Sequence, residues 1–271
     1  MTLPAKTLPA KPPFRLAAIA ATALLAACST SGPGLEQAVR DISVAKPRFS
    51  ETDPVDFPGR GPAAYPVHGT DVSKYQGSVD WPTARANGVS FTFIKATEGG
   101  DRADEAFLAN FQAAKAAGVP RGAYHFFYFC TPAFQQAAWF IRHVPVDRSA
   151  LPPVLDMEWN HKSPSCKFRP EPDAVRKEMQ VWLDRVERQY GKKPIIYTVP
   201  DFYEENLQGH FKDYQFFLRA VADHPSNVYP NRKWTFWQYS GTGSIPGIRG
   251  GADMNVFNGT PAAWKAWLAK N

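Results

Sequence analysis

Cysteine and histidine are scarce in this chain, with 3 and 6 among its 271 residues. No CxxC pair occurs and no histidines cluster beside the cysteines, so a metal centre is not expected. A GxGxxG turn and a phosphate loop are also missing, which argues against a bound dinucleotide or nucleotide cofactor; no cofactor of any kind is expected. There is no run of basic residues, and nucleic acid is therefore an unlikely class of partner. The one long apolar run, Leu16 to Ala27, is too short to span a bilayer as a mature helix. Phosphoryl transfer would need cationic donors, and acyl transfer a nucleophile with its base; neither stands out.

What is present begins with a leader. Residues 1–27 carry Lys6, Lys11 and Arg15 ahead of that apolar run, the pattern of a secretory signal peptide. It ends in Leu25-Ala26-Ala27-Cys28, which resembles a bacterial lipobox whose cysteine becomes the lipidated first residue. Ser29, rather than Asp, resembles the signal for outer-membrane delivery. A lipid anchor at Cys28 and a place in the cell envelope, on the outer membrane facing the periplasm, are the expectation. An ordinary cleavage site, giving a freely secreted protein, is the alternative.

Without the leader's three cations, 28 of the 31 basic residues face 25 acidic ones, too small an excess to define a partner. In an oxidising compartment the two remaining cysteines, Cys130 and Cys166, are expected to form a disulfide. Residues 28–64 are rich in Pro, Gly, Ser and Asp and read as a tether, with one short helix near Leu35 to Asp41.

From residue 65 to 271 strand and helix signals alternate. "VSFTFIKAT" suits a strand buried on both faces, and "DWPTARANG" a helix capped by Asp80 and ended at Gly88. "DAVRKEMQVWLDRVERQYG" is the longest helix, with Asp173 as its expected cap and Gly191 as its stop. Eight strand candidates are present, and the helices are best formed early. The expected fold class is α/β, an irregular TIM-like parallel (β/α) barrel with some helices shortened or missing, acting as a monomer. A doubly wound open sheet is the second possibility.

Barrel enzymes work at the C-terminal ends of their strands. The polar groups expected there are Asp71, Lys95, Glu98, Tyr124, His125, Asp156, Glu158, Tyr197, Arg219, Trp237, Gln238, Tyr239, Asp253 and Asn255. Acids and aromatics dominate, as in a sugar site. Asp156 and Glu158 in "LPPVLDMEWN" are two apart on a strand and leave one face, with Val154, while Leu155, Met157 and Trp159 leave the other. Two close, partly desolvated carboxyls should not both ionise, which is how a glycosidase obtains a general acid near neutrality; Glu158, nearer the strand end, is the better candidate. His125 reads as a packed histidine, and Lys95 with Glu98 as an ion pair at the rim.

"HGTDVSKYQGSVDW", "FIKATEG", "GAYHFF", "VLDMEW", "IIYT", "WQYS" and "ADMNVF", in this order, resemble the family 25 glycoside hydrolases, the N-acetylmuramidases that cut peptidoglycan. The resemblance implies an irregular barrel acting on the glycan strand. It implies Glu158 as general acid, Asp156 as its partner, and Asp71 and Asp253 as acids of the first and last strands. Tyr124, Tyr197, Trp237 and Gln238 fall where the family lines the N-acetyl sugar subsite. The loops holding Cys130 and Cys166 depart from the common pattern; they follow adjacent strands, so their bridge would fix one wall of the groove. Retention, inversion and assistance by the substrate's acetamide all remain open from spacing. A chitinase-like endo-N-acetylglucosaminidase and a barrel that binds peptidoglycan without cutting it are the alternatives.

Overall fold

A computed structural model describes residues 1, 2 and 43–271. The chain divides into two units, Met1–Gly32 and Pro33–Asn271. Of the first, only the exposed residues Met1 and Thr2 are described. The leader, Cys28 and the helix expected near Leu35 to Asp41 therefore lie outside the described residues.

In the second unit the strands are β1 (Ser50–Glu51), β2 (His68–Val72), β3 (Thr92–Glu98), β4 (Arg102–Ala103), β5 (Arg121–Phe126), β6 (Val154–Met157), β7 (Ile195–Thr198), β8 (Gln215–Arg219), β9 (Phe236–Ser244) and β10 (Ala252–Phe257). Eight of them close a barrel in the order β2-β3-β5-β6-β7-β8-β9-β10, with β10 returning to β2. The run from β2 to β9 is parallel throughout. Strand β10 is antiparallel to both β9 and β2, so the all-parallel expectation is corrected. The reason is the link: residues 245–251 suffice for a reversal, whereas a parallel return needs a crossover of a dozen or more. This reversal brings the first residues of β10, not the last, to the mouth formed by the other strands' C-terminal ends.

Helices cover most of the outside, and their sequence signals explain their limits. Trp81–Ala86 is capped by Asp80, whose carboxylate accepts from the Thr83 N–H at 3.1 Å. The longest helix, Pro172–Tyr190, has Glu171 at its cap position with no side-chain bond there. Asp173, expected as the cap, sits instead in the first turn and pairs with Arg176. Gly191 ends this helix at φ 66°, a left-handed backbone that favours glycine. It buries Val175, Met179, Trp182, Leu183 and Val186 on one stripe. After β8 only one short helical turn follows, Pro225–Val228, and none joins β9 to β10. Shortened and missing helices are thus found where the sequence weakened.

The bare outer face of β9 is covered by the chain that precedes the barrel. Strand β1 pairs antiparallel with the end of β9, Ser50 opposite Ser244 and Glu51 opposite Gly243. The Phe57 ring meets Trp237 edge-on at 5.4 Å, and Tyr65 packs on Trp234 and Trp237 at 5.5 and 5.9 Å. Arg48 N–H donates to the Asn87 carbonyl at 2.9 Å. The described half of the segment read as a tether, residues 43–64, is therefore a strap lying on the barrel. Its Pro- and Gly-rich composition hides Phe49 and Phe57, which are too far apart in sequence to give a period but are partly buried against the core.

Candidate active site

The period of β6 sets the site. Leu155 and Met157 point outward into the core and are fully buried, while Val154, Asp156 and Glu158 line a cavity of about 550 Å³ at the barrel mouth. Asp71, Lys95, Tyr124, Tyr197, Arg219, Gln238 and Asp253 line the same cavity. Strand pairing explains the convergence: Asp156 lies beside Tyr197, Lys95 beside Tyr124, Arg219 beside Gln238, and Asp253 opposite Asp71. The antiparallel β10 is what makes this last pair.

Asp71 and Asp253 share one hydrogen bond, in which Asp253 holds the proton and Asp71 accepts. Asp71 Oδ2 also accepts from Gln238 Nε2 at 3.0 Å and from Asn255 Nδ2 at 2.9 Å. Tyr197 Oη donates to Gln238 Oε1 at 2.7 Å, which turns the Gln238 amide so that its NH₂ faces Asp71. Burial raises the Asp71 carboxyl, with the three donors opposing it. Burial, then the adjoining Asp71 charge, pushes Asp253 up to about 8.

Asp156 is pushed well above the ordinary carboxylate range, first by burial and then by the charge of Glu158, with Lys95 opposing. Its Oδ1 is buried without a hydrogen-bond partner. Glu158 is raised too, again by burial first; Arg219 opposes and Asp201 reinforces. The expectation that repulsion between Asp156 and Glu158 keeps Glu158 protonated is thus modified. Burial is the first cause of the rise at Glu158, and the repulsion falls chiefly on Asp156, the more strongly raised of the two. Raising a carboxyl in this direction is what lets it serve as a proton donor.

Two expected site residues stand elsewhere. In "WQY" only Gln238 faces the cavity, because neighbours on a strand alternate. Trp237 is fully buried on the outer face, donating from Nε1 to the Ala220 carbonyl at 2.7 Å, and Tyr239 Oη meets His68 Nδ1 at 3.1 Å beneath the strap. Neither reaches the cavity. The aromatic surface there comes from Tyr124 and Tyr197 with Tyr75, Phe93, Phe126, Phe217 and Trp159; Trp159, expected on the opposite face, reaches the cavity because β6 and its alternation end at Met157. Strand parity identifies Phe93 and Phe126, which stand two from Lys95 and Tyr124; exposed Tyr75, on a turn after β2, gives no such signal.

Other expectations hold in place. His125 is fully buried between Thr97 Oγ1 at 2.8 Å and Gln136 Oε1 at 2.9 Å, and burial lowers it to about 4, so it is a neutral packed histidine. Lys95 donates to Glu98 at 2.5 Å. Cys130 and Cys166 form a disulfide with Cα atoms 5.8 Å apart, joining the loops after β5 and β6.

The shared proton has a consequence for stability. Asp253 is raised from 3.8 to about 8, so its contribution is fully present below pH 3.8 and is lost as pH rises through about 8. Asp253→Asn keeps the hydrogen bond without the titration. Its melting temperature is expected to fall less than that of the unaltered protein between pH 5 and pH 9; parallel profiles would contradict the shared proton.

Residues 70–248 match the family model for glycosyl hydrolases family 25. The Uncharacterized protein YegX of Escherichia coli strain K12 is 40% identical over 218 residues, covering 78% of this chain and 77% of that protein. Lysozyme M1 of Streptomyces globisporus is 34% identical over 219 residues, covering 76% and 72%. The solved structure of a family 25 glycosyl hydrolase from Bacillus anthracis superimposes with a TM-score of 0.67 at 35% identity, over 76% of this chain and 95% of that one. The barrel, the four acids at its mouth and these likenesses make the chain a member of glycosyl hydrolase family 25.

Proposed function

We propose that this glycoside hydrolase is a muramidase that cleaves the β-1,4 bond between N-acetylmuramic acid and N-acetylglucosamine in peptidoglycan. The observation that carries the reading is the half-buried Glu158, its carboxyl raised by loss of water, facing the mouth cavity beside Asp156, in a family whose relatives include a lysozyme. Family membership favours this over a chitinase-like activity. A barrel that only binds glycan would have no use for four desolvated acids, each of which opposes folding in its charged form.

In the proposed reaction Glu158 gives its proton to the glycosidic oxygen as the C1–O bond breaks. The substrate's acetamide oxygen attacks C1 from the other side, forming an oxazolinium ion. The acetamide N–H, donated to the free Oδ1 of Asp156, favours the ionised form of that carboxyl, so that the pair's one proton sits on Glu158 and the Asp156 charge faces the developing oxazolinium. Water then attacks C1 and returns its proton to Glu158, and the acetamide leaves. Asp71 and Asp253, holding each other and Gln238, suit a supporting role: they fix the wall that carries Tyr197 rather than supply a base. Tyr124, Tyr197 and Gln238 would line the acetamido subsite.

Glu158→Gln keeps the shape and removes the proton. Turbidity of a peptidoglycan suspension should then clear about 10²–10⁴-fold more slowly, the usual range for a lost general acid, and undiminished clearing would refute the assignment.

The leader supports a place in the cell envelope, anchored through a lipid on Cys28 and delivered to the outer membrane facing the periplasm; a monomer is our proposal for the state in which it acts there. Cys28→Ser should move the protein from the membrane fraction to the soluble fraction of the host; retention on membranes would contradict the anchor.

A further inference from the structure

Three cavity-lining residues can carry positive charge: Lys95, His161 and Arg219. Two are engaged. Lys95 donates to Glu98 at 2.5 Å, and His161 lies between Asp201 at 3.3 Å and Arg169 at 2.7 Å. The Arg219 guanidinium forms no hydrogen bond or ion pair with any described residue. Its charge opposes the rise of Glu158 and Asp253, but its N–H groups are unspent, and a half-buried arginine of this kind facing a reactive cleft is a donor fork open to an anion.

Its base is rigid. Arg219 ends β8, and its carbonyl accepts from Tyr229 Oη at 2.6 Å. The next residue is held on both sides: Ala220 N–H donates to the Gln238 carbonyl at 3.0 Å, and the Ala220 carbonyl accepts from Trp237 Nε1 at 2.7 Å. The backbone from which the side chain projects is therefore fixed. Trp237, which does not reach the cavity, thereby positions a residue that does.

Arg219 also lines a second, larger cavity of about 1110 Å³, bounded by the strap and the outer face of β9. Phe57, Val221, Tyr239 and Thr242 are among its walls. Arg219 is thus a wall of both spaces. In the muramidase reading a linear glycan would occupy the mouth, and only its muramoyl sugar carries a branch, the lactyl ether at C3 with or without its stem peptide. Glucosamine has none.

We infer that Arg219 is a specificity residue that binds a carboxylate on the muramoyl branch as that branch leaves the active-site cleft toward the groove under the strap. The inference rests on the muramidase reading and adds which feature of the strand is recognised. The carboxylate has two chemical sources, the lactyl group of a peptide-free strand and the acids of a stem peptide. A guanidinium at this place binds both in the same way.

The test uses the purified protein and two matched pairs of substrates. One pair is glycan strands stripped of stem peptides by an amidase, before and after conversion of their carboxyls to methylamides. The other is peptide-bearing strands, before and after the same conversion. In at least one pair kcat/KM should be about 10- to 100-fold higher for the free carboxylate, the range of a charge-assisted hydrogen bond. The difference should sit mainly in KM, and the pair that shows it names the source. In Arg219→Gln the preference should collapse toward parity, with part restored in Arg219→Lys. Each preference is a ratio within one protein, so a partly unfolded variant still reports it. Equal rates within both pairs for the unaltered enzyme would overturn the inference, as would Arg219→Gln keeping the full preference. Cleavage of none of the substrates would overturn the muramidase reading itself, and this inference with it.

Discussion

Burial of carboxyl groups is the constraint around which this molecule is arranged. Asp71, Asp156, Glu158 and Asp253 are all raised by loss of water at the barrel mouth, and each would cost folding energy if it were charged and unpartnered. The fold meets that cost in two ways. On one side Asp71 and Asp253 share a proton, with the amides of Gln238 and Asn255 completing the shell. On the other, Asp156 and Glu158 are left incompletely satisfied, and Asp156 Oδ1 has no partner at all. Unsatisfied polarity in a cleft is what a substrate can complete, so the unsolvated pair faces the chemistry and the satisfied pair holds the wall.

That division depends on the direction of one strand. If β10 ran parallel to its neighbours, Asp253 would lie at the closed end of the barrel, away from Asp71. The short link of residues 245–251 forces the reversal, and the reversal puts Asp253 opposite Asp71. The same end of the barrel has too few helices to cover its outer face. The strap and the residue after it fill the gap with Phe57 and Tyr65, and they build a groove that shares Arg219 as a wall with the active cleft. Topology, coverage and the shape of the cleft are in this sense one problem with one solution.

Much of this was legible before any coordinates. Alternation of strand and helix signals specified an irregular barrel, and period-two reading of "VLDME" put Asp156 and Glu158 on one inward face. Other features were less visible for physical reasons. Strand direction follows from link length rather than from composition, so β10 was assigned parallel. Trp237 and Tyr239 look like sugar-stacking residues by type, yet the parity that places Gln238 inward sends both outward. The strap has aromatic anchors without a period, and its proline content reads as a linker. The source of the Glu158 shift could not be seen at all, because burial depends on which distant elements close over the mouth.

The central claim is that Glu158 works with the substrate's own acetamide, steadied by Asp156, rather than with a water activated on the opposite face. Stereochemistry decides between them. Proton NMR of the newly formed muramoyl reducing end, followed from the first minutes of reaction before mutarotation, should show the β anomer appearing first. An α anomer appearing first would mean single displacement by water and would contradict the account.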